Sequence, residues 1–108
     1  MMQVDSTTLT QVITNAFNLS MDGRLSTAQQ MQFNNLGKRL RGDLLDLLSS
    51  YFNDGTQAVL NANAQLAAVN TQIQQATNDL ANIATVVQNV ANLAGVLDGL
   101  LALALKII

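Results

Sequence analysis

Asp43 and Asp46 stand three residues apart in "RGDLLDLL", on one side of any helix that contains them. Paired carboxylates do acid–base work when burial drives their protonation apart. Arg39 and Arg41 precede them closely, so the group reads first as ion pairs on a helix surface. Asp98 is the other acid of interest. It lies in "ANLAGVLDGLLALALKII", residues 91–108, where Lys106 is the only other charge. A lone carboxylate buried there would take up a proton or find a cation. The expected place for Asp98 is solvent between subunits, or opposite Lys106 of another copy. His and Cys are absent. That removes the commonest general base, the thiol nucleophile and the usual transition-metal ligands. No glycine-rich phosphate loop occurs. No catalytic residue is assigned; no enzyme activity, cofactor or small-molecule substrate is expected.

The one stretch with metal-ligand spacing is "NLSMDGRLSTAQ", residues 18–29. Asn18, Ser20 and Asp22 occupy alternate positions. Gly23 follows at a sharp-turn position, Arg24 offers a carbonyl, and Leu25 is apolar. Ser26 and Gln29 complete the set, and Phe17 precedes it. This loop resembles an EF-hand calcium loop, and the resemblance covers only the loop and its flanking helices. It implies a helix-loop-helix turn. The donor set is poor, because calcium needs charged oxygens and a bidentate Glu at the last position, where Gln29 stands. Asp22 is the only carboxylate in the set. The expectation is a turn that keeps the shape without the metal.

Those residues must be positioned by helices. The chain has 108 residues, no Pro, 49% hydrophobic residues and 4% aromatics. An Ala-, Leu- and Gln-rich sequence without Pro favours helix, and no alternating β-branched runs suggest a sheet. The fold class expected is all-α: two shorter N-terminal helices (residues 1–55, a helix-loop-helix) and a long heptad-patterned C-terminal helix (56–108), in one domain forming a helical hairpin or bundle. In "STTLTQVITNAF", Leu9, Val12, Ile13, Ala16 and Phe17 recur at helical spacing behind a Ser6 cap. Ser26 or Thr27 caps a second helix with Met31, Phe33, Leu36, Leu40, Leu44, Leu47 and Tyr51 as its apolar face. Gly37 and Gly42 weaken it by roughly 1 kcal/mol each. It should end at "NDG", with Gly55 as a left-handed cap.

From Val59 the apolar positions step by three and four without a break: Val59, Ala62, Leu66, Val69, Ile73, Ala76, Leu80, Ile83, Val87, Val90, Ala94, Leu97, Leu101, Ala104 and Ile108. This is a heptad seam. As one straight helix it would run to about 75 Å, too long for a compact domain of this size. Either it bends back or other copies of the chain cover it. Its flanks turn apolar late, at Val86, Leu93, Leu100, Leu105 and Ile107. Ala91, Gly95 and Gly99 stand four apart, a small-residue spacing that lets helices approach closely, or else a hinge. The residues assigned to self-association are Leu66, Val69, Ile73, Leu80, Ile83, Val87, Val90, Ala91, Gly95, Leu97, Gly99 and Leu101.

Charge narrows the partners. Only 11% of residues are charged and the net charge is −2, against roughly 25% charged residues in ordinary domains. The basic cluster Lys38, Arg39 and Arg41 reads as a solvated helix face answered by Asp43 and Asp46, so no nucleic acid is expected. The N-terminus lacks the basic and apolar regions of a signal peptide; export, if it occurs, would take a leaderless route. Three functions fit. The first is a structural protein that self-assembles through its long helix into a homo-oligomeric bundle or filament. The second is a membrane-active protein using residues 86–108, near the length that spans hydrocarbon. The third is a monomeric helical adaptor, its long helix broken near Gly95 and its tail packed on Val12, Phe17, Phe33 and Leu40.

Overall fold

A computed structural model describes residues 3–53 and 56–106. The chain is all-helical and compact, 43 × 22 × 19 Å. Its elements are α1 (Ser6–Ser20), α2 (Thr27–Leu48), β1 (Ser50–Tyr51), α3 (Gln57–Asn78), a 3-10 turn (Leu80–Asn82), α4 (Ile83–Leu101) and β2 (Leu105–Lys106).

Local chemistry sets the helix ends. Asp5, rather than Ser6, caps α1: its carboxylate accepts from the Thr8 amide at 3.1 Å. Asp is as good a cap as Ser, and this one also receives the Thr8 hydroxyl at 2.7 Å. Ser26 caps α2 in a reciprocal box, accepting from the Gln29 amide while Gln29 Oε1 accepts from the Ser26 amide. Helix α2 stops at Leu48, earlier than expected; Gly55 lies outside the described residues.

The long third helix does not form as one piece. It breaks at Asp79, whose backbone is extended (φ −141°, ψ 110°) and whose carboxylate caps the Ala81 amide at 3.0 Å. Thr77, Asn78 and Asp79 all compete for their own backbone groups and so disfavour helix continuation. Helices α3 and α4 then form an antiparallel hairpin, tied by an Asn89 Nδ2 to Gln72 Oε1 bond of 2.8 Å. The hinge that Gly95 and Gly99 offered as an alternative to close packing is absent; α4 runs through both.

The helices neighbour one another in the ring order α1, α2, α4, α3. Asn63 receives the Asp5 amide and Asn70 donates to Gln11, which sets α1 parallel to α3. Helices α2 and α3 are diagonal, and the chain leaving α2, residues 49–53, lies at one end of the bundle. Phe52 plugs that end, fully buried. Beside it β1 pairs with β2 in an antiparallel ladder, Ser50 with Lys106 and Tyr51 with Leu105. No strand was expected; this one arises because the chain leaving α4 meets the chain leaving α2, and each satisfies the other's free backbone groups.

The core is aliphatic, with Leu9, Val12, Leu19, Phe33, Leu40, Leu66, Ile73, Val90, Leu93 and Leu97 nearly sealed from solvent. On α2 the inward positions are Phe33, Gly37, Leu40, Asp43 and Leu47. Met31, expected in the core, is exposed, while Leu36, Leu44 and Tyr51 are half-buried. Gly37 is inward because the Phe17 ring lies against it, within 3.0 Å of where a Cβ would stand.

Candidate functional site

The chain's most perturbed chemistry lies between α2 and α4. Asp43 occupies a core-facing position of α2 and is only 8% exposed. Its Oδ2 is sealed and has no hydrogen-bond partner. Asp98 faces it from α4. Arg39, one turn before Asp43, donates to Asp98 Oδ2 from Nε at 3.1 Å and also from Nη2. The expected pairing of Arg39 with Asp43 or Asp46 therefore gives way to a bridge between helices. Asp98 is open to solvent, as expected, and it meets Arg39 of its own chain. Arg41 instead lies over the Phe17 ring, 5.6 Å from its centroid.

Burial pushes the Asp43 carboxyl up to about 7, helped by its hydrogen bond to Asp98 and the charge of Asp98 and opposed by Arg39. The Asp98 carboxyl is held below its usual value by its hydrogen bond from Arg39, with that to Asp43 second. The two carboxyls are therefore pushed apart: burial and Asp98 favour the protonated form of Asp43, while Arg39 favours the ionised form of Asp98. Of the two acids Asp43 and Asp46, only Asp43 faces the core; Asp46 is exposed. The signal was available, since 33, 37, 40, 43 and 47 is as good a helical stripe as one through Leu44.

A cleft of about 520 Å³ opens elsewhere, at the α3–α4 turn, lined by Gln72, Gln75, Ala76, Asn78, Asp79, Asn82, Thr85, Val86 and Asn89. Its lining offers hydrogen bonds, and its one carboxylate already caps Ala81.

In the calcium-like loop, the candidate ligands are committed to the fold. Asn18 and Ser20 lie in α1, and Ser20 donates to the Phe17 carbonyl. The Asp22 carboxylate receives the Arg24 amide at 2.9 Å and its guanidinium at 2.6 Å, bonds that hold it down to about 2. Arg24 also reaches the Thr77 carbonyl at 2.8 Å, fastening the loop to the end of α3. Ser26 and Gln29 hold each other in the capping box. Among the described residues no group of three or more acidic, His or Cys side chains converges on a metal position.

Of the residues assigned to self-association, Leu66, Val69, Ile73, Ile83, Val90 and Leu97 are buried inside the chain's own bundle. Leu80, Val87, Ala91 and Leu101 are half-buried. Gly95 and Gly99 face outward, with nothing within 4 Å of a Cβ placed on either. The apolar stretch able to cross a membrane is Leu80–Leu101, 22 residues at mean hydropathy 1.4, of which a third is covered by protein. It differs from the 86–108 expected, because helix ends at Leu101; Ile107 and Ile108 lie outside the described residues.

No family model, curated protein or solved structure matches the chain.

Proposed function

We propose that this protein is a non-enzymatic helical building block whose copies associate through the outer sides of α3 and α4. The observation that carries this reading is the character of that surface. Between Thr56 and Leu97 the only charged residue is Asp79. The outward positions are small or amide-bearing: Ala64, Ala67, Ala68, Thr71 and Gln74 on α3, then Ala84, Gln88, Asn92, Gly95 and Gly99 on α4. A solvated helix face ordinarily carries charges. Here α3 carries none and α4 carries only Asp98, which is paired with Arg39, and open space above Gly95 and Gly99 admits the backbone of a neighbouring helix. The buried half of the seam serves the fold, so association draws on the outer residues alone. Leu45, Leu48, Leu60 and Leu103 add exposed apolar surface near the end of the bundle where α2 and α4 finish and α3 begins.

The test uses the freedom of the two glycines. Gly95→Glu and Gly99→Glu place a charge on the outer face with no clash inside the chain. Light scattering over a dilution series should give the wild-type chain a mass above 11.5 kDa that grows with concentration, and both variants the monomer mass. A wild-type monomer throughout would refute self-association, and variants that keep the wild-type mass would refute this face.

A second reading rests on α4, the one helix among the described residues long and apolar enough to span a bilayer. Membrane insertion would require α4 to leave the bundle and expose Leu93, Ala94 and Leu97, now covered by protein. Binding of the chain to neutral lipid vesicles, with loss of the α2–α4 contact, would favour it.

A further inference from the structure

We propose that Asp43 is the proton-operated part of a clasp between α2 and α4: with its proton the buried carboxyl lies neutral beside Asp98, and loss of that proton loosens the contact. The geometry is specific. Asp43 is sealed at the interface with an unpartnered Oδ2. Asp98 carries its own negative charge opposite, and Arg39 is engaged with Asp98. A second ionisation would bury one more negative charge against a like charge, with Arg39 the cation that acts on the pair among the described side chains.

The surroundings isolate the pair. On α2 the other charges near Asp43 are Arg39 and, one turn on, Asp46. On α4, between Ile83 and Leu101, Asp98 is the only charge. Helices α1 and α3 carry no charged side chain at all, and β1 adds neither carboxylate nor amine. His and Cys are absent from the chain, so no other side chain ordinarily titrates between pH 5 and 8.

The sign follows from linkage. The folded chain keeps the Asp43 proton at pH values where the unfolded chain has lost it, because burial raises its hold from the ordinary 3.8 to about 7. Folding therefore takes up a proton in that window, and stability falls as pH rises from about 4 to 7, then levels. Asp98 works oppositely and only in stronger acid: its contribution is present above its unfolded value and is lost as pH falls through its lowered folded value.

The experiment is urea unfolding of the full chain at pH 5, 6, 7 and 8 and fixed ionic strength, on the wild type and Asp43→Asn. The wild-type folding constant should drop by up to about tenfold per pH unit below 7, the limit for one linked proton. In Asp43→Asn the drop should vanish, while the α-amino group, common to both, contributes equally. A flat wild-type profile, or an Asp43→Asn profile with the wild-type drop, overturns the proposal. If Asp43→Asn does not fold, Asp98→Asn serves: Arg39 is then free to meet Asp43, and the drop should shrink. An unchanged drop there overturns the proposal. Amide exchange, corrected for its intrinsic pH dependence, should rise more in α4 than in α1 between pH 5 and 8; an equal rise overturns the assignment to the α2–α4 contact.

Discussion

Gly37 and Gly42 lie in the same helix, five residues apart, and the same substitution should act on them with opposite sign. In a helix interior, replacing Gly by Ala removes backbone freedom from the unfolded chain and gains roughly 0.5–1 kcal/mol. At Gly42 a Cβ meets nothing within 4 Å, so Gly42→Ala should gain that amount. At Gly37 the new Cβ would stand 3.0 Å from Cε1 and Cζ of Phe17 and 3.2 Å from Cδ1. Carbon contacts settle at about 3.5–4.0 Å, so the ring must retreat by about 0.5–1 Å. Its retreat disturbs the Arg41 guanidinium lying 5.6 Å from the ring centroid, a contact of roughly 0.5–1 kcal/mol at an exposed site. Overpacking of this kind costs about 1–3 kcal/mol. Gly37→Ala should therefore be net destabilising, by up to roughly 2.5 kcal/mol after the helix gain is subtracted. Urea unfolding followed by circular dichroism reads both, provided the slope with denaturant stays constant. In a Phe17→Leu background, Gly37→Ala should become stabilising, giving a coupling in the double-mutant cycle. Equal stabilisation at both glycines would refute the claim that Gly37 is small to admit Phe17.

Two further outcomes follow from the packing and the loop. Leu97 is fully buried in the chain's own core, so Leu97→Ala should cost about 2–5 kcal/mol in urea unfolding; a loss under 1 kcal/mol would mean that α4 is not seated as described. Calorimetric titration of the chain with millimolar calcium should give no binding heat, because Asp22 is held by Arg24 and the Ser26 and Gln29 side chains hold each other's backbone; saturable heat lost in Asp22→Asn would overturn this.

The helical class, the presence of α1, the start of α2 and most inward positions of the seam were legible from residue order. Each depends on neighbours within a turn or two: a capping side chain, a missing proline, an apolar residue every three or four positions. Ala62, Leu66, Val69, Ile73, Val90 and Leu97 are all buried as their spacing requires. The break at Asp79 was harder to see. The seam crosses it in register, from Ala76 to Leu80 to Ile83, so periodicity carried no sign that the chain reverses. The local signal was Thr77-Asn78-Asp79, three residues that bond their own backbone more readily than they extend a helix.

What only the tertiary structure decided is who meets whom. A hydrophobic period records that a side chain must be covered, and does not record by which partner. Once Asp79 turns the chain, α4 returns along α3 and settles beside α2. The seam is then covered by its own chain, Asp98 comes to Asp43 and Arg39, and Phe17 finds Gly37. Asp43 and Asp98, far apart in sequence, titrate as neighbours because the fold brings them together and burial strips water from Asp43. Residue order therefore settled the faces of the helices, and the closed bundle settled the contacts that give Asp43 its proton.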